Sequence, residues 1–266
     1  MAHVMLILVS LMLLYILGGI LPHLDIKILQ CLETVTQALQ INKTMSATKL
    51  KRTYAFDSDI FDAAVTHGSE KKVLKRGDRN IFTFVTPYVI PEEAYYASIE
   101  EAFREIWEAD GYEKSQFYLE NTARRDSKIA GPWTRPDFTM VSYKKFPWTI
   151  GSEFDVVTFE VKRADTSNVL AVFEAMSHRS AATRSYVVFP LDEVTWTAKD
   201  PAQAIRVKDE CIRHGIGLIF VGQGSAKAAA VHAIPARRFD IDHRKSSDFL
   251  AAVLTEAGKN RIAEWK

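Results

Sequence analysis

The chain has 266 residues, enough for one large domain or two small ones, and its 47% hydrophobic and 25% charged content excludes a disordered or fibrous protein. A formal net charge of +1 excludes a global field that draws the whole chain to nucleic acid, so any basic surface has to be local. Two cysteines, Cys31 and Cys211, far apart in sequence, argue against a disulfide framework or a cysteine zinc site and fit a reducing compartment.

Val4 to Leu21 carries no charge and is near the minimum length for a membrane span. No Lys or Arg precedes it, whereas Lys27, Lys43, Lys49, Lys51 and Arg52 come after it, so the positive-inside rule places the remainder of the chain in the cytoplasm. A signal peptide fits less well, because the start has no positive charge and Gly-Gly-Ile-Leu-Pro is a poor cleavage site. Met45 opens Met-Ser-Ala-Thr-Lys-Leu-Lys-Arg, a normal start for a soluble chain. Residues 1–24 are therefore expected to be an N-terminal apolar helix. It is either an inner-membrane anchor or an extension upstream of a cytoplasmic protein.

From Ile26 to Gln40, Ile28, Leu29, Leu32, Val35 and Leu39 recur at helical spacing, as a packed or linker helix requires. Residues 43–90 mix charge with short apolar runs; Ile81 to Val85 has strand character, and Thr66-His67-Gly68 with Lys71-Lys72 reads as loop. No helix-turn-helix is legible there, and residues 25–90 are expected to form a linker helix and a small subdomain. Pro91-Glu92-Glu93 opens a helix that runs to about Ala109 with Tyr96, Ile99, Phe103, Ile106 and Trp107 on its apolar stripe. Glu100 borders that stripe. Tyr112 to Leu119 reads as a strand, and Asn121 to Trp133 as a polar loop carrying Arg124, Arg125 and Lys128.

Arg135 to Arg163 reads as two strands joined by a polar, aromatic connection. Phe138, Met140 and Ser142 alternate onto one face, and Val156, Thr158, Glu160 and Lys162 onto another, a period of two. Glu160 and Lys162 then point to the same side, with Asp137 at the end of the neighbouring strand. Two carboxylates beside an ammonium suit a metal site with a group that positions water. Asn168 caps a helix to about Ser180, with Leu170, Phe173, Ala175 and Met176 toward the core. Glu174 and His178 lie four apart on it, the spacing of a helix-surface pair. Ser185 to Pro190 is a buried strand, Asp200-Pro201 starts a helix to about His214, and Gly215 to Gly222 is apolar enough for a strand covered on both faces. Residues 223–245 are loop-like and basic, and Ser246-Ser247-Asp248 caps a last helix. There is no Gly-rich phosphate loop, no Gly-x-Ser-x-Gly elbow and no internal repeat.

Pro136-Asp137 and Glu160-Val161-Lys162, about twenty residues apart across a hairpin, resemble the PD-(D/E)XK nuclease superfamily, whose fold is restriction-endonuclease-like. The order of helix, strand, hairpin, helix, strand, helix and strand from about Ile99 to Gly222 matches that core. The runs Phe159-Glu160-Val161-Lys162, Phe173 to His178 and Tyr186 to Pro190 look like bacterial members of it. The resemblance implies an α/β core over residues 91–224, with a mixed central sheet flanked by helices, followed by a basic loop and helix over 225–266. It implies a DNA endonuclease that uses Mg2+, or Mn2+ in its place, in restriction or defence. Asp137, Glu160 and the Val161 carbonyl would hold the ion, Lys162 would orient water, and Glu100 would be the helix acid of a second ion. Lys144, Lys145, Arg163, Arg179 and Arg184 are candidate contacts to nucleic acid. Relatives that cut both strands as dimers imply a homodimer, and a membrane partner is implied only if residues 4–21 are an anchor. Two rival readings keep the fold without the cleavage: a module that binds nucleic acid or a protein partner, and a membrane-tethered scaffold.

Overall fold

The structure, a computed structural model, describes residues 25–123, 135–223 and 228–265. The expected apolar helix over 1–24 and the loop cations Arg124, Arg125 and Lys128 lie outside the described residues. Among the described residues no helix is long and apolar enough to cross a membrane. The chain divides into two compact units, Met1–Ala94 and Tyr95–Lys266.

The first unit runs α1 (Ile26–Asn42), β1 (Thr44–Ser46), α2 (Ala47–Tyr54), α3 (Ser58–Glu70), β2 (Leu74–Arg76) and β3 (Ile81–Phe84). Its sheet has the order β1-β3-β2 and is antiparallel throughout. The helix expected as packed or linker is packed: Leu32, Val35 and Leu39 of α1 are fully buried and share a core with Met45, Leu50, Phe61 and Phe82. A chain starting at Met45 would lack the helix that fills this core. The loop expected around Thr66 is instead the last turns of α3. It is joined to α2 by only Ala55, Phe56 and Asp57, with Ala55 left-handed at φ 51°. Asp57 caps α3 by accepting from the N–H groups of Asp59 and Ile60. Two helices joined by three residues have the connection length of a helix-turn-helix. Its period is hidden in the sequence because α2 buries a single residue, Leu50.

The second unit contains α4 (Tyr96–Ala109), β4 (Phe117–Asn121), β5 (Phe138–Lys145), β6 (Ser152–Val161), α5 (Val169–Ser177), β7 (Arg184–Phe189), α6 (Glu193–Lys199), α7 (Pro201–His214), β8 (Gly217–Gln223), β9 (Ala228–Ile234), α8 (His243–Val253) and α9 (Glu256–Ala263). It is an α/β unit around a mixed six-stranded sheet of order β4-β5-β6-β7-β8-β9. β6, β7 and β8 are parallel, and the flanking pairs are antiparallel. The helical crossovers between parallel strands cover the sheet, which is why β7 and β8 read as continuous apolar runs.

One sheet face is aromatic. Phe159 stacks on Phe103 of α4 at 4.3 Å between ring centroids, and Phe138, Trp107 and Tyr186 complete the cluster. The other face packs Val187, Phe189, Leu218 and Phe220 against α5 and α7, and Val141 with Val156 against α8. Gly217 is where β8 passes the Tyr186 ring with no room for a Cβ. The basic segment after residue 223 is not all loop, since β9 pairs with β8 along the sheet edge. Its alanine run conceals it in the sequence, because small residues carry little of the β-branched signal.

The helix after Lys162 is turned relative to expectation. Leu170 is 58% exposed, whereas Ala171, Val172 and Ala175 are buried. Alanines let α5 sit close to the sheet, and this rotation brings Glu174 and His178 inward.

Candidate active site at the end of strand β6

The expected hairpin forms, with Phe138 opposite Phe159 and Thr139 opposite Thr158. Asp137 lies one residue beyond the Phe138–Phe159 rung that ends the ladder. The backbone bends there: Asp137 N–H donates to the Phe159 carbonyl, while its own carbonyl accepts from Thr122 on the other side. The Asp137 side chain then takes over the place of a ladder carbonyl. Its Oδ2 accepts from Val161 N–H at 2.8 Å, and its Oδ1 accepts from the Tyr96 hydroxyl at 2.6 Å. Asp137 is thereby anchored on the peptide between Glu160 and Lys162. In a strand a residue's N–H and C=O point to the same edge, so the Val161 carbonyl is directed to the Asp137 side.

Lys162 lies between two carboxylates. Its Nζ is 2.6 Å from Glu160 Oε1 and 2.7 Å from Glu174 Oε2. His178, with 4% exposure, places Nε2 3.2 Å from the other oxygen of Glu160. Burial raises the Glu160 pKa, but the hydrogen bond from His178 and the charge and hydrogen bond of Lys162 outweigh it and hold the carboxyl below its ordinary range. An ionised carboxylate only accepts, so His178 Nε2 carries the proton. Beneath these groups buried hydroxyls cross the sheet: Thr122 bonds Thr139 at 3.1 Å, Thr139 faces Thr158, and Thr158 donates to Ser185 at 2.9 Å.

Of the residues singled out from the sequence, Asp137, Glu160, Val161 and Lys162 are gathered here. Glu100 is not among the groups that bond them; it pairs with Arg104 at 2.7 Å one turn along α4. Lys144 sits over the Tyr112 ring, and Lys145 is exposed at the far end of β5. Arg163 forms a bidentate pair with Asp165. Arg179 stacks on Phe239 and donates to the His214 carbonyl. Arg184 serves the buried Asp155, together with Arg238 and Thr183. Apart from Lys145, each of these cations thus has a partner of its own, with Arg163 and Arg179 directly following Lys162 and His178 in the chain.

Three site residues depart from their sequence expectation. Glu174 and His178 have the spacing of a surface pair, but each bonds a member of the Glu160–Lys162 pair. The signal that could have found them is the alanine pair, since burying Ala171 and Ala175 forces their neighbours inward. Tyr96 has the spacing of a core aromatic, and nothing in that spacing marks its hydroxyl.

Among the described residues no three of His, Cys, Asp and Glu stand together as a ready metal cage. The donor chemistry nonetheless fits a hard divalent ion. Mg2+ is typically held by one or two carboxylates, with waters and substrate phosphate completing the octahedron. A carboxylate offers about four lone-pair sites, and Glu160 uses one on each oxygen here. A cavity of about 440 Å3 lies at the opposite end of the same hairpin, lined by Tyr143, Phe154, Leu250 and Trp265 among others, and does not include these residues.

No family model matches the chain, and no curated protein matches it in sequence. Fold and site together define an α/β protein with a carboxylate–ammonium cluster at the carboxyl end of a central strand.

Proposed function

We propose that the second unit is a nuclease of the PD-(D/E)XK superfamily with a restriction-endonuclease-like fold, hydrolysing phosphodiester bonds of DNA with the help of Mg2+ or Mn2+. The observation that carries this reading is that Asp137 bonds the Val161 N–H from the adjacent strand, while Glu160 and Lys162 flank Val161 and pair with each other, in the order of the motif. A bound divalent ion supplies Lewis acidity to the scissile phosphate and makes its bound water a stronger nucleophile at neutral pH. Asp137, Glu160 and the Val161 carbonyl would hold it. Lys162 donates to the attacking water or to the oxygens that gain charge in the transition state. Glu160 and Glu174 hold the Lys162 ammonium in place, and His178 fixes the Glu160 rotamer. The Val161 amide and the Tyr96 hydroxyl fix Asp137. Such positioning matters because displacement of a reacting group by about 1 Å can cost about 100-fold in rate.

The test is nicking of supercoiled plasmid by purified full-length protein with Mg2+ or Mn2+, with and without EDTA. Activity that needs the ion and disappears in Lys162→Ala and Asp137→Ala supports the assignment. Wild-type protein that cuts no DNA with either ion, or a Lys162→Ala variant as active as wild type, refutes it.

A further inference from the structure

The first unit has the order helix, strand, helix, turn, helix, hairpin, with its last hairpin strand inserted between the other two in the sheet. That is the layout of a winged helix-turn-helix. α2 and α3 form the helix-turn-helix, and β2 and β3 with their connection form the wing. From Lys71 to Arg79 this segment carries five cations against one acid, Asp78. Lys71, Lys72, Lys75, Arg76 and Arg79 are all exposed, and among the described residues none of them forms an ion pair. Lys72, Lys75 and Arg76 line one depression of about 390 Å3 with Ser69. At the tip, Arg79 and Asn80 both hold φ 55°. Asn commonly tolerates that region, but Arg does so at a cost, so the turn keeps a cation where glycine is easier. Arg76 is braced by two bonds to Asn80 and by the Phe82 ring beneath it.

On the other side of α3 in sequence, α2 exposes Lys49 and Arg52, again without ion pairs among the described residues. The exposed residues of α3 itself are Ser58, Asp59, Asp62, Thr66 and Glu70, with Lys51 holding Asp62 at 3.0 Å. α3 therefore does not attract phosphate. It offers hydroxyls and carboxylates, groups that bond base edges, between two basic elements.

We propose that the first unit docks on duplex DNA, with the wing and α2 gripping phosphates and α3 presented to the major groove. In helix-turn-helix proteins the second helix enters that groove while the first crosses the backbone. With a net charge of only +1 any basic surface has to be local, and this segment is one. Duplex docking rests on this unit alone and does not need the second unit to cleave.

The test is fluorescence anisotropy of a dye-labelled duplex of about 30 base pairs with the full chain, in EDTA so that cleavage plays no part, over a series of salt concentrations. Each phosphate contact contributes about 0.9 to the slope of log affinity against log salt. Lys75→Ala with Arg79→Gly is expected to lower the slope by about 2 and to weaken binding roughly 10-fold or more at about 0.1 M salt. Arg79→Gly also relieves the positive φ, and both sites are exposed, so melting temperature should hold. Lys49→Ala with Arg52→Ala should act likewise, and Lys75→Arg with Arg79→Lys should keep wild-type binding. The control, Lys114→Ala with Lys245→Ala, removes the same charge from exposed sites of the second unit and should leave affinity unchanged. The proposal is overturned if the wing variant binds with wild-type affinity and slope, if the control loses as much, or if wild-type protein binds single-stranded RNA or heparin as tightly as duplex.

Discussion

Asp137 allows structural and chemical roles to be separated by two substitutions at one position. The residue is 9% exposed, and its carboxylate accepts from Val161 N–H and from the Tyr96 hydroxyl. In Asp137→Asn the amide oxygen can still accept from Val161, while the amide nitrogen donates to the Tyr96 hydroxyl, which rotates to accept. Two bonds to a charged acceptor, each worth about 1.5–3 kcal/mol, become neutral ones worth about 0.5–1.5 kcal/mol. Relief from burying a charge offsets part of the difference, so the net loss of stability is about 1–2 kcal/mol. Asp137→Ala instead strands both donors, at about 1–3 kcal/mol each, for a loss of roughly 4 kcal/mol. Urea unfolding without divalent ions should show that order at constant m-value, and plasmid nicking should be lost in both. An Asp137→Ala protein as stable as wild type refutes the anchoring by Val161 and Tyr96. An Asp137→Asn protein that nicks at the wild-type rate refutes the metal-binding role while leaving the anchoring intact.

Glu174→Gln removes one of the two carboxylates holding Lys162, and should slow nicking about 10- to 100-fold without changing DNA affinity in EDTA. Unchanged turnover would make Glu174 a bystander. Gly217→Ala pushes a Cβ into the Tyr186 ring and to 2.9 Å from the Ala236 nitrogen, so it should cost about 2–3 kcal/mol in urea unfolding; a neutral result would mean that the strands part easily. His232 packs against Trp107 and Tyr186. Burial lowers its pKa from 6.5 against the weaker opposite pull of Asp110. The folded protein then stays neutral where the unfolded chain takes up a proton. The contribution of His232 is complete above the unfolded value and is lost as pH falls through the folded one. Unfolding titrations of wild type and His232→Phe from about pH 8 to about pH 5 should therefore show a constant stability difference at the high end and a changing one below 6.5. A difference that stays constant throughout would show that the imidazole titrates alike in both states.

The hairpin between Arg135 and Arg163 was legible because both segments read as strands, whose period of two places Glu160 and Lys162 on one side without further information. α4 was legible from its apolar stripe, α7 from the Asp200-Pro201 start, and β8 from its unbroken apolar run. The helix-turn-helix was not, because α2 is short and buries one residue. β9 was not, because alanine favours neither period. α6 was missed as well, its seven residues being too few to establish a stripe.

The amino-acid order alone determined which residues could share a strand face, where helices begin, and that an acid–x–lysine triplet comes after a Pro-Asp pair across a hairpin. Those are local properties, set by the backbone repeat and by capping chemistry within a few residues. Only the tertiary structure decided that α5 rolls its alanines onto the sheet, so that Glu174 and His178 meet Lys162 and Glu160, and that Tyr96 reaches Asp137 across 41 residues of chain. It likewise gave Glu100 a partner of its own in Arg104. Such choices depend on how closely two elements approach and on which buried polar group finds a partner, and packing settles both over distances in sequence that no local period spans.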